Sequence, residues 1–236
     1  MSIVARQKRR QWAGPGFETF GSIFGFIYTF LAGNALLAVA NAPLVLSLSL
    51  VADPAAAWPF FLALSVTIAP SLAGIFAAFK ALNDDGGAVK AVAAFLRGYK
   101  RSFAKAALLG VGAVAMLMFL GVDLAVIQNN AAAIPGAALL VPVIVVAAAV
   151  TVTLSVTAIA GVVLLPEANL KSILKAALYL AVQRWYLSLA MLILLGIIVS
   201  AAVMQPVLGI ALAPAPLLFV IWSNASYAFH AALRTP

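Results

Sequence analysis

The sequence predicts an all-α fold, a polytopic membrane helix bundle of about six transmembrane helices with two interfacial amphipathic helices. Three observations predict it. Hydrophobic residues fill 66% of 236 positions and charged residues only 8%, where a soluble domain carries roughly 25% charged residues. Mean hydropathy is +1.16. Uncharged runs such as 186 to 204 approach the ~20 apolar residues that a helix needs to cross roughly 30 Å of hydrocarbon.

Taken in chain order, MSIVARQKRRQW has the basic character of a signal-peptide n-region. The apolar run behind it is too long for one and lacks a small-residue cleavage site, so residues 1–17 are expected to stay attached as a basic cytoplasmic tail. Span one is expected over 18–51. It is longer than a bilayer needs, and Pro43, which removes the hydrogen bond to the Val39 carbonyl, predicts a bend. Span two is expected over 57–81. Asp84 and Asp85 follow in LNDDGG, the chemistry of a solvated turn.

From 91 to 104 the apolar Val92, Phe95, Leu96, Tyr99 and Phe103 recur at three- and four-residue spacing, while Arg97, Lys100 and Arg101 take the other side. That pattern predicts an interfacial helix, aromatic face toward acyl chains and basic face toward headgroups. Span three follows over 105–127. Span four, 131–165, is again long, and Pro142 predicts its bend. Its TVTLSVT alternates like a strand, but an unpaired strand in lipid leaves its backbone unsatisfied, so a helix is predicted. Thr151 and Ser155 then share one stripe, with Thr153 and Thr157 nearly opposite. Bonding to carbonyls one turn back is the expected use. A second interfacial helix is expected over 169–184, with Lys171 and Lys175 off its apolar stripe, before spans five (185–204) and six (207–230).

Charge tests this drawing. With the tail cytoplasmic, all 14 Lys and Arg residues fall on that side, as the positive-inside rule requires, and both termini are cytoplasmic. SVTIAPS at 65–71 parallels SVTAIAG at 155–161, each followed by an interfacial helix, which suggests a parallel internal repeat within one membrane domain, 1–236.

Function is less legible. Arg97, Lys100, Arg101, Lys105, Lys171 and Lys175 are the candidate docking residues, for anionic lipid of the cytoplasmic leaflet or for a protein partner. Lipid accounts for the interleaved aromatics, so no nucleic-acid partner is expected. Asn34 and Asn41, seven residues apart on one face of span one, and Asp123 in span three are the intramembrane polar candidates. Hydrogen bonding between helices is the plainer use of the asparagines. Asp123 lies near the outer end of its span, within reach of water. His230 reads as an interface residue. With no cysteine, one histidine and six acids, no metal site, cofactor or catalytic residues are expected, and neither a phosphate loop nor a metal-spaced motif is present. The chain is therefore read as a non-enzyme.

Three stretches resemble a known family. Asn34 stands nine residues before Pro43 in NALLAVANAP, the second span ends TIAPSLAGIFAAFKAL, and FLRGYKRSF runs into AKAA. These are similar to the corresponding motifs of the YesL-like family of bacterial integral membrane proteins. Ala69 and Pro70 depart from its usual glycine and small residue, and about 20 extra residues separate Pro43 from Thr67. The resemblance implies residence in the bacterial cell (inner) membrane and a supporting role in carbohydrate uptake, beside ATP-driven (ABC) transporter subunits. It carries over no catalytic residues. A small-solute transporter and a purely structural interaction protein are the other expectations.

Overall fold

The computed structural model describes residues 15–84, 90–130 and 136–234. Ten α-helices hold most of them, and no β-strand occurs among the described residues. Most of the expected basic tail, residues 1–14 with Arg6, Lys8, Arg9 and Arg10, lies outside this description, as do Asp85 and residues 131–135 of an outer connection. Residues 15–17, also expected in the tail, already belong to the first helix.

Span one is two helices, α1 (Pro15–Ala40) and α2 (Ala42–Leu50). The break falls at Asn41, two residues before the expected bend. Pro43 sits in the first turn of α2, where a missing N–H costs nothing, so the helix restarts just ahead of the proline instead of bending at it. Span two begins with α3 (Trp58–Leu64), tightens through a 3-10 turn (Ser65–Thr67) and continues as α4 (Ile68–Asp84). Pro70 lies in the first turn of α4, and the tight turn precedes it.

The interfacial helix expected over 91–104 is not a separate element. It is continuous with span three as α5 (Ala91–Asn129), 39 residues and about 58 Å long. Its aromatic stripe is also divided: Phe95 is buried against Gly74 of α4, whereas Val92, Leu96 and Phe103 are exposed. Nothing between 91 and 129 caps or breaks a helix, and α5 packs closely on α4. Gly98 and Gly110 make that approach feasible. A methyl group at Gly98 would collide with Ala77, and one at Gly110 would lie 2.7 Å from Ala69 and 3.1 Å from the Val66 carbonyl that Pro70 leaves without its helical donor.

Pro142 does not bend span four. It lies in the first turn of α6 (Val141–Leu164), after a separate 3-10 turn (Ala137–Leu140). The stretch expected as the second interfacial helix is a separate amphipathic helix, α7 (Leu170–Gln183), which buries Ile173, Ala177 and Leu180 and leaves Lys171 and Lys175 exposed. Its Asn169 cap accepts from the Lys171 N–H at 3.3 Å. Span five is α8 (Trp185–Met204). Span six is divided at Ala213 into α9 (Pro206–Leu212) and α10 (Pro214–Arg234). Of the six expected spans, the first five each contain a helical stretch long and apolar enough to cross a bilayer, and the divided sixth does not. The segments of the expected repeat thus differ: the amphipathic stretch is fused to the following span in α5 but separated from it at Arg184 in α7–α8.

α4 is the centre of the bundle, with α1, α5, α6 and α10 around it, and 11 of its 17 residues are buried. Phe76 and Phe79 are fully buried, and Phe79 packs edge-on against Phe30 of α1 and Phe219 of α10. The outside is as apolar as the inside. On α8 only Met191 is buried, while Leu189, Ile193, Ile197 and Val203 are exposed; α5 exposes Leu108, Val111, Met116, Phe119 and Val126. Water does not tolerate a contiguous apolar surface of that extent, and hydrocarbon does. The molecule is an all-α, multi-pass membrane protein.

Candidate functional site

Asn34 of α1 and Asn41, between α1 and α2, each attend a helix break. A continuous helix through Ala213 would pair the Ala215 N–H with the Ala211 carbonyl. Instead, the Asn34 side chain stands between them: its Nδ2 donates to the Ala211 carbonyl at 2.8 Å and its Oδ1 accepts from the Ala215 N–H at 2.7 Å. Prolines at 214 and 216 supply no N–H, so Ala215 carries the one backbone donor of that turn, and Asn34 satisfies it. The residue is 3% exposed.

Asn41 occupies the break in its own helix. Its Nδ2 donates to the Leu37 carbonyl and to Ser71 Oγ, both at 2.8 Å, and its Oδ1 accepts from Thr67 Oγ1 at 2.8 Å. Ser71 Oγ passes the chain on to the Ile68 carbonyl at 2.8 Å. α1 is thus fastened to the start of α4 by Asn41 and to the α9–α10 junction by Asn34. In a low-dielectric interior such linked bonds fix one packing arrangement.

The sequence places these asparagines on one face, but their partners were missed. Thr67 and Ser71, one turn apart in an apolar run, were a readable signal for the first partner. Pro214-Ala215-Pro216 was one for the second, since two prolines around one N–H mark a helix that must be finished by another group.

The basic candidates divide by what they touch. Lys105, half-buried, donates from Nζ to the carbonyls of Pro166 at 2.7 Å and Ala168 at 3.0 Å, in the connection between α6 and α7. Arg101 pairs with Glu167 at 2.7 Å, an ion pair exposed on both sides. Those two residues hold the connection against α5. Arg97 reaches back to the Ala93 carbonyl of its own helix at 3.3 Å, and Arg97, Lys100, Lys171 and Lys175 are exposed. Lys105 brings that part of α5 to the carboxyl end of α6, and Arg184, between α7 and α8, lies over the Tyr227 ring of α10 at 5.0 Å. The cations of 90–184 therefore gather at one end of the bundle. Asn34, Asn41 and α9 lie toward the other.

Asp123 is half-buried in the last two turns of α5 and makes no hydrogen bond or ion pair among the described residues. In α6, Thr151 and Ser155 donate to the carbonyls of Ala147 and Thr151 at 2.8 and 2.7 Å, the back-bonding expected of them. Thr153 and Thr157, on the opposite stripe, are buried. His230 Nδ1 lies 2.7 Å from the Ser226 carbonyl of its own helix. No group of three or more metal-ligating side chains comes together among the described residues.

The fold and these contacts define a helical membrane bundle with two internal polar fasteners and one cationic end. Comparison of the chain with family models, curated proteins and solved structures finds no match.

Proposed function

We propose that this chain is a non-enzymatic accessory or scaffold component of a carbohydrate ABC-type uptake system in the bacterial cell membrane, both termini cytoplasmic, working through its cationic end. The observation that carries the docking part of this reading is α5. The residues beyond Lys105, about 36 Å of helix, contain no Lys or Arg and suffice to cross the hydrocarbon. The preceding turns present Arg97 and Lys100 to solvent beside exposed Val92, Leu96 and Phe103. Cations with adjoining apolar side chains suit a partner's cytoplasmic surface and anionic lipid around it. The carbohydrate part rests on the resemblance to the YesL-like family.

Affinity purification from native membranes in mild detergent tests it. Importer subunits should co-purify with the wild type and be depleted from an Arg97→Ala/Lys100→Ala variant. Recovery of no transporter subunit with the wild type refutes the assignment.

A second reading, a small-solute transporter, draws on one observation: two broken helices meet in the interior at Asn34 and Asn41, and broken helices line many transporter sites. Solute flux in reconstituted vesicles that falls with Asn41→Ala or Asp123→Asn would favour it. Both asparagine amides already have protein partners, which is why it stands second.

A further inference from the structure

Where α7 meets α8, a cleft of about 30 Å³ opens between α6, α7, α8 and α10, and its polar lining is Thr157, Arg184, Ser188 and Asn224 over a floor of Met191 and Ile221. That space holds one or two water-sized groups. Its chemistry is unbalanced. Arg184 is half-buried and no carboxylate among the described residues reaches it. Its guanidinium lies over the Tyr227 ring at 5.0 Å, and its N–H donors make no hydrogen bond among the described residues. Thr157 is 7% exposed, and its hydroxyl makes no hydrogen bond among the described residues. Asn224 likewise lacks a partner there. Ser188 is already committed, donating to the Ala181 carbonyl at 3.1 Å across the helix break. A cation without a carboxylate partner, a hydroxyl and an amide with open hydrogen-bonding capacity therefore line one cleft, and together they describe a site for an anionic group from outside the chain.

The surroundings say what. Tyr227 lies against Arg184, Trp185 and Tyr186 follow Arg184 in the chain, and all three are more than half exposed. Exposed Trp and Tyr collect at headgroup depth, where phosphate is the abundant anion. Arginine's planar fork matches phosphate oxygens two at a time, and basic pockets between membrane helices take lipid head groups. We propose that this cleft binds the phosphate of a membrane phospholipid. The Arg184 fork pairs with the phosphate, and the Thr157 hydroxyl and Asn224 amide donate to an oxygen that enters the cleft. The site uses none of the candidate docking residues and is independent of the function proposed above.

Native mass spectrometry of the full chain in detergent micelles tests it, with phosphatidylglycerol as probe and diacylglycerol as its phosphate-free control. The wild type should retain phosphatidylglycerol and not diacylglycerol. Arg184→Ala should weaken retention about 10-fold or more, the scale of a charge-assisted bidentate pair, with Arg184→Lys between the two. Thr157→Val/Asn224→Leu, with Arg184 and its stacking intact, should weaken it with helix content unchanged by circular dichroism, which keeps the test usable if Arg184→Ala fails to fold. Equal retention by the wild type and the Thr157→Val/Asn224→Leu variant, or equal retention of the two lipids, overturns the proposal. Displacement of the lipid by excess inorganic phosphate would assign the cleft to the free anion and overturn the lipid assignment.

Discussion

Removing the amide of Asn34 tests whether one side chain completes the α9–α10 junction. In Asn34→Ala, the Ala211 carbonyl and the Ala215 N–H lose their partner together. Each buried backbone group left unpaired costs about 1–3 kcal/mol, which sets an upper range of about 2–6 kcal/mol. Polar contacts in membrane interiors measure smaller, about 0.6–1.7 kcal/mol, because the unfolded chain in lipid also finds partners. The two Asn34 bonds together should therefore contribute about 2 kcal/mol. The helix cannot repair the loss cheaply: closing the Ala211–Ala215 bond would press the rings of Pro214 and Pro216 into the preceding turn. Equilibrium unfolding in mixed micelles, followed by far-ultraviolet circular dichroism, reads the change. The decisive comparison is a double-mutant cycle with Pro214→Ala/Pro216→Ala, which lets the helix run through and makes Asn34 dispensable, so Asn34→Ala should cost clearly less in that background. A loss below about 0.5 kcal/mol in the native background, or strict additivity in the cycle, would refute the reasoning.

Asn41→Ala should destabilise more than Ser71→Ala in the same assay, since it removes three hydrogen bonds including the one Ser71 receives; equal effects would contradict the network. Lys105→Met should cost about 1.5–3 kcal/mol, the scale of a hydrogen bond to a charged group, whereas Arg101→Ala, whose partner is exposed, should cost under about 1 kcal/mol. The reverse ranking would show that Lys105 does not anchor the α6–α7 connection. Gly98→Leu should cost about 1–3 kcal/mol by forcing α5 off Ala77, while Gly112→Leu, with nothing within 4 Å, should be neutral. Equal effects would place α5 differently on α4.

Sequence reasoning reached the fold class because composition and hydrophobic length act over whole segments. It reached the amphipathic α7 because an apolar stripe with Lys171 and Lys175 off it is a local signal. It separated 91–104 from 105–127 because an amphipathic pattern has two sources, and here the apolar side is partly buried, at Phe95 beside Gly74 of α4, and partly exposed, at Val92, Leu96 and Phe103. A proline within an apolar run predicts a bend, but Pro43 and Pro142 stand in first turns, where they mark the start of a helix. Asn34 and Asn41 were legible as one polar face. Their partners lie on segments 177 and 30 residues away, and only packing brings them together. Arg184 carried a basic charge like the others in sequence, and nothing local revealed that it would end half-buried over Tyr227.

The arrangement of the cationic end is most directly tested by single-cysteine labelling, which a chain without native cysteine allows. Lys100→Cys and Gln128→Cys mark the two ends of α5, both exposed. In intact cells an impermeant maleimide should label the cysteine at 128, and the one at 100 only after permeabilisation. Labelling at 100 in intact cells would contradict a cytoplasmic cationic end.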